Sequence, residues 1–420
     1  MNVRKGILIV SFLLLNVRVE VPTGPVYIRG LELAVLALVA GTLITVACRN
    51  RVISNYVWTI SVPVFATLAY AILLIPFQPY PTRNTFIDLL EVSEVLIGVF
   101  AISYVSEGIN NLTKVYDIFI ISSLIESIFF FSYILSTGYP YTFLGSLPYY
   151  PAFGFPSVAL IISIHKAGSG SVLKYLPIAF ILVVRVFFQY TRSNLIFIPI
   201  ALAGSYLLVS STTRYYTKKN YLLWGASSVI FLMVSVITVD TLASTFPGVS
   251  AEVKSIVMGE SGLFVRACVW YMMVVSLIDS PFGVGLNNTR PAVEATIASG
   301  FDFPDWLVSF VGIDSVERVV STFPAPNVGH SSLFKFFVEM GPFGLAIFTY
   351  FWWLIFSYSK HACVYATNES FENIYPSLSV LMYFFLQSLI NTKLLDGWWL
   401  IILVFTLIVL GFVSKRMKVT

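Results

Sequence analysis

Apolar residues in this chain come in long unbroken runs, one after another, and that pattern leaves few folds open. The runs cover residues 6–19, 30–48, 56–75, 85–105, 115–136, 152–164, 173–190, 193–210, 221–239, 331–357, 374–390 and 397–413. Lipid offers no water to backbone N–H and C=O groups, so only helices and closed barrels cross it. Barrel strands alternate apolar and polar residues. These runs do not alternate, and most approach the ~20 residues a spanning helix needs. The expectation is an all-α polytopic membrane protein with about twelve transmembrane helices. Residues 6–19 and 152–164 are short for that task, so they extend into their flanks or sit where the bilayer is thin. Composition agrees: charged residues are 11% of the chain, against about 25% in an average soluble domain.

Lysine and arginine in short loops orient such a bundle. With the N-terminus inside, the inner segments gather Arg49 and Arg51, Lys218 and Lys219, Lys360, and the terminal Lys415, Arg416 and Lys418. Both termini are then cytoplasmic. The basic, apolar N-terminus lacks a small-residue cleavage site and reads as a retained first helix. Residues 263–278, LFVRACVWYMMVVSLI, are apolar enough to span. Crossing there would invert every later loop, so this segment is expected to lie in the outer interface or dip partway, with Arg266 snorkelling. Three regions follow: helices one to nine over 1–239, a long extracytoplasmic loop over 240–330, and helices ten to twelve over 331–420. A loop that long in a compact protein carries function. The net charge of +4 does not point to nucleic acid, and the three cysteines form neither a disulfide framework nor a metal spacing.

Arginine is distributed unevenly. The outer half holds Arg18, Arg29, Arg83, Arg185, Arg192, Arg266, Arg290 and Arg318, against Lys254, Lys335 and Lys393. A rigid, permanently charged fork suits a phosphate, so an anionic substrate such as a lipid diphosphate is one reading and snorkelling to headgroups is the other. Arg192, in QYTRSN, sits at an outer turn close to the hydrocarbon boundary. His330 opens the tenth helix in NVGHSSLFKFFVEMGPFGL and could take a proton from a hydroxyl. His165 and His361 fall in expected cytoplasmic turns. Asp88 and Glu91 share a helix face, followed by Glu94; they either hold acceptor hydroxyls or pair with Arg83 or Arg185. Glu126 falls near mid-bilayer, and Lys335 and Glu339 are spaced to neutralise each other. Gly283-Val284-Gly285 could offer N–H groups to an anion, but reads better as a tight turn. Gly341-Pro342 is expected to kink the tenth helix. The aromatic cluster over 137–156 is an interfacial belt or a glycan platform.

His330-Ser331, nine residues, Gly341, two residues and Gly344 together resemble the His-[Asn/Ser/Gln]-x9-Gly-x-x-Gly signature of the bacterial O-antigen polymerase and ligase family. Arg266 and Trp270 followed by PFGVG resemble that family's Arg-x-x-x-Trp segment and its glycine turn, and TRSN its Ser/Thr-Arg-Ser stretch. The likeness covers roughly residues 191–348. It implies a GT-C-like bundle in the bacterial inner membrane and an inverting transfer of glycan from a polyprenyl diphosphate, with no metal or other cofactor. Arg192 and Arg266 would bind the diphosphate, and His330 would act as general base. Arg290 and Arg318 lie outside the matched positions and, with Asp88 and Glu91, are candidates for substrate contact. The implied partners are a polyprenyl-diphosphate-linked glycan donor, a glycan acceptor, the bilayer, and a chain-length regulator protein. The likeness leaves open whether the acceptor is another lipid-linked repeat unit (a polymerase) or lipid A-core or protein (a ligase). A transporter is the competing class; it predicts paired half-repeats, which the sequence lacks.

Overall fold

The computed structural model describes residues 7, 10–11, 18–20, 27–29, 35–39, 42, 55–80, 82–106, 113–137, 155–168, 172–187, 193–212, 260–300, 302–313, 316–317, 331–365, 368–390 and 401–409. Among them the elements in chain order are β1 (Arg18–Glu20), β2 (Tyr27–Arg29), α1 (Asn55–Leu74), α2 (Thr82–Ser106), α3 (Thr113–Thr137), α4 (Phe155–Gly168), α5 (Val172–Phe187) and α6 (Ser193–Thr212). They continue with α7 (Glu260–Val275), α8 (Thr289–Ala298), α9 (Asp305–Val311), α10 (Ser332–Tyr365) and α11 (Asn368–Ile390); residues 401–409 are also helical. The expected helix over 221–239 lies outside the described residues.

Among the described residues the chain is helical where the apolar runs predict helices, with one exception. Arg18–Glu20 pairs antiparallel with Tyr27–Arg29, Arg18 opposite Arg29, where the sequence reading carried its first helix through Val19. Val19, Tyr27 and Ile28 are β-branched or aromatic, types that fit a pleated strand.

Among the described residues, Val57–Phe77, Val115–Ser132 and Ser332–Val364 are long and apolar enough to cross a membrane, and Phe197–Leu208 and Ile374–Leu389 are shorter apolar helices. Their packing explains the apolar excess. On α1, Val57, Ile60, Val64 and Ala71 are buried while Trp58, Val62, Phe65, Ile72 and Leu73 stand outward. A helix apolar on both its inner and outer faces is one whose outer solvent is lipid.

The short run at 152–164 has a different explanation. Its helix, α4, has Val158, Ala159, Leu160, Ile161 and Ile162 all fully buried, enclosed by α3, α5 and α11. Being central, it need not meet lipid on every side. Against α4, α5 shows its buried Arg185 to Glu126 of α3: Nε lies 3.1 Å from both carboxylate oxygens, Nη2 bonds Oε1, and the guanidinium sits 3.7 Å from the centre of the Phe130 ring.

A second, smaller core stands apart from the main one. Cys268, Val269, Met272 and Met273 of α7 pack with Val284, with Ala292 and Val293 of α8, with Leu307 and Val311 of α9, and with Val338 of α10. Cys268, Val269, Met272 and Met273 of this apolar segment are thus buried among α8, α9 and the start of α10, while Val274 and Ile278 stand exposed.

Candidate functional site

The site is built around a break in α10. Gly341 adopts φ 59°, ψ −153°, a conformation essentially confined to glycine, and Pro342 follows. In a continuous helix the Val338 carbonyl would accept from residue 342, but proline has no N–H. The turn Pro281–Gly285 repairs the loss. The Val284 N–H donates to the Val338 carbonyl and the Gly285 N–H to the Glu339 carbonyl, each at 3.0 Å. Tyr70 of α1 donates to the Phe282 carbonyl at 2.9 Å. These N–H groups are therefore spent on protein carbonyls; the turn reading of Gly283-Val284-Gly285 is right and the anion reading is not.

Three of the glycines here tolerate no side chain. A Cβ on Gly283 would lie 2.4 Å from the Glu339 carbonyl oxygen, one on Gly341 2.7 Å from that of Pro281, and one on Gly344 1.8 Å from that of Phe336. Gly283 and Gly341 thus let the turn and the broken helix meet backbone to backbone, while Gly344 lets the two halves of α10 close on each other. Ser331 has its own role: its hydroxyl accepts from the Phe334 N–H at 3.4 Å, capping the first turn of α10.

The same contact joins α7 to α10. The Trp270 ring stacks on Phe334 with centroids 4.9 Å apart and planes 12° from parallel. Arg266 stands one turn before Trp270 on α7.

Beside this contact is a polar cluster from three parts of the fold. Lys335 Nζ lies 3.6 Å from Asp88 Oδ2 and 3.7 Å from Glu339 Oε1. Thr289, at the start of α8, donates to Glu339 Oε1 at 2.9 Å. Next to it, Asn288 Nδ2 donates to Thr85 Oγ1 at 3.1 Å and lies 3.4 Å from Gln78 Oε1. The Thr85 hydroxyl can donate to Gln78 Oε1 at 2.9 Å or to the Leu286 carbonyl at 3.1 Å. Asp88, Thr85, Glu339, Asn288 and Thr289 are all buried. Nearby Tyr80 has its phenol pushed up by burial and, secondarily, by the charge of Asp279.

Of the residues expected to act, Asp88 is in this cluster and Glu91 is buried one turn further along α2. Arg290 stands exposed on α8, 2.8 Å from Glu294. Arg192, Arg318, His330 and the Arg266 side chain lie outside the described residues. Two readings need correction. Arg185 is not available to Asp88 or Glu91, nor to an anionic ligand, because Glu126 holds it in the bundle; Asp88 is met instead by Lys335. His165 and His361 are not in turns but on helices, since α4 and α10 run past the ends of their apolar stretches. His165 is buried, its Nε2 2.8 Å from Ser379 Oγ, while His361 is exposed with Nδ1 2.7 Å from the Ser357 carbonyl.

Sequence reasoning missed Gln78, Thr85, Asn288 and Thr289. The only local signal was Asn-Asn-Thr ahead of α8, a pattern typical of helix starts. No group of three or more His, Cys, Asp or Glu among the described residues could hold a metal ion. No protein-family model matches the chain, and no curated protein matches it.

Proposed function

We propose that this protein transfers glycan from a polyprenyl diphosphate, at the extracytoplasmic end of a bundle of about twelve membrane helices. What supports the reading is one observation: three segments that carry the resemblance pack against one another. The helix bearing Arg266 and Trp270, the PFGVG turn and the broken α10 are joined by the Trp270–Phe334 stack and by the two hydrogen bonds to Val338 and Glu339. These are the elements by which the sequence resembles the O-antigen polymerase and ligase family.

In the proposed reaction, Arg192 and Arg266 grip the diphosphate, and an acceptor sugar hydroxyl attacks the anomeric carbon from the opposite face. The new C–O bond forms as the bond to the diphosphate oxygen breaks. The hydroxyl proton passes to His330, and polyprenyl diphosphate leaves with the electron pair. Fixed guanidinium groups stabilise the charge that develops on the leaving oxygen, usually the largest catalytic contribution. Among acceptors, we favour a second lipid-linked repeat unit in the bacterial inner membrane, which makes the enzyme a polymerase.

Deletion of the gene tests this in cells. Surface glycan reduced to single repeat units on lipid core is the result expected for a polymerase; full-length chains stranded on the polyprenyl carrier would make the protein a ligase. Unchanged surface glycan would remove the reading.

A further inference from the structure

The polar cluster at the broken helix contains more hydrogen-bonding capacity than the protein uses. Gln78 Nε2, Asn288 Oδ1 and Glu339 Oε2 are buried and have no hydrogen-bond partner among the described residues. Asn288 and Glu339 are almost wholly enclosed, at 0% and 1% exposed. A buried polar atom left unmatched costs about 1–3 kcal/mol, so three at one place call for an occupant. Gly285 belongs to the same spot: a Cβ there would lie 2.0 Å from Gln78 Oε1 and 2.9 Å from Asn288 Nδ2. Gly285 thus lets the Gln78 and Asn288 amides pack directly against its backbone, which fixes where their unused atoms stand.

The chemistry of the unused atoms identifies the class of ligand. Two are acceptors and one is an amide donor, alongside the Thr85 and Thr289 hydroxyls. Among the described residues the ammonium at hand is Lys335, already shared between Asp88 and Glu339. Among them carboxylates outnumber cations here, which favours a neutral ligand over a phosphate. A mixture of acceptors and an amide donor matches a neutral polyhydroxyl compound, in which each hydroxyl both donates and accepts. Trp270 adds an aromatic ring close by, and its buried Nε1 is also without a partner among the described residues.

We infer that Gln78, Asn288 and Glu339 form a binding site for the hydroxyls of a neutral glycan, separate from the cationic grip on the diphosphate. This rests on the transfer reading above and specifies which part of the substrate the carboxylate side of the site holds.

Full-length protein in lipid nanodiscs tests it with two probes: undecaprenyl diphosphate without sugar, and the same carrier bearing the oligosaccharide extracted from the source cells. Wild-type protein is expected to bind the glycosylated lipid at least about tenfold more tightly, the worth of one or two buried hydrogen bonds. Glu339→Leu and Gln78→Leu remove the hydrogen-bonding atoms at similar side-chain size, and each is expected to erase that preference while leaving the sugar-free probe unchanged. If both variants keep the preference, the glycan site is overturned and the diphosphate reading stands. Equal loss of both probes would place these residues in the diphosphate grip or the fold, and also overturns the site. Failure of wild-type protein to bind either probe would remove both inferences together.

Discussion

Replacing Gly341 by alanine tests the backbone-to-backbone junction most sharply. At φ 59°, ψ −153° an L-residue is strained by about 2 kcal/mol. The new Cβ would also stand 2.7 Å from the Pro281 oxygen and 2.8 Å from the Phe282 carbonyl carbon, and backbone cannot swing aside as a side chain can. The turn must therefore lift from α10, giving up the Val284 and Gly285 hydrogen bonds, each worth about 1 kcal/mol. The total is about 4 kcal/mol, or roughly 8 °C in thermal midpoint at about 2 °C per kcal/mol for a chain of this size. Gly300 and Gly312 supply the control, since both have positive φ but no atom within 4 Å of an added Cβ. Gly300→Ala should lose about 1 kcal/mol, roughly 2 °C. Gly312→Ala, at φ 82°, ψ 146°, should carry the same strain of about 2 kcal/mol without the clash, roughly 4 °C. Intrinsic tryptophan fluorescence of detergent-purified protein during heating reads all three. If Gly341→Ala melts within about 2 °C of Gly300→Ala, the junction does not hold the site together as argued.

Three further outcomes follow from the same geometry. Glu126→Gln leaves Arg185 without its counter-charge in the bundle and should lower stability by about 3–5 kcal/mol, whereas Glu126→Leu with Arg185→Met should recover most of that loss in the same melting assay. Tyr70→Phe removes only the bond to the Phe282 carbonyl and should cost about 1 kcal/mol; a loss as large as that of Gly341→Ala would contradict the division of labour described here. Cys268 is fully buried and burial pushes its thiol up, which lowers its thiolate fraction at any given pH. In a Cys48→Ser, Cys363→Ser background, maleimide should label it only after denaturation; rapid labelling of native protein would show that the second core is open.

What the sequence displayed, and what it hid, divide by range. The kink at Gly341-Pro342 and the turn at Gly283–Gly285 were legible because a missing N–H and a missing Cβ act locally. The helices were legible because lipid demands length, although polar ends such as His165 and His361 extended past the apolar stretch that defined them. The partner of Arg185 was not legible. The sequence set Asp88, Glu91 and Glu94 against Arg185 and left Glu126 near mid-bilayer without a named partner, whereas the packing of α3 against α5 selects Glu126. Lys335 with Asp88, and Asn288 with Thr85 and Gln78, pair residues distant in the chain, so no periodicity marks them. Amides and hydroxyls also attract little notice in a sequence, because their value depends on what else is buried beside them.

The most direct measurement is transfer itself. Purified protein in proteoliposomes, given a radiolabelled polyprenyl-diphosphate oligosaccharide and no other protein, should yield longer lipid-linked chains and free polyprenyl diphosphate in equal proportion to the bonds made. His330→Ala and Arg192→Ala should yield neither while reconstituting as well as wild type. Chain growth at the wild-type rate in His330→Ala, or wild-type protein that moves the lipid-linked sugar across the bilayer without lengthening it, would contradict the account.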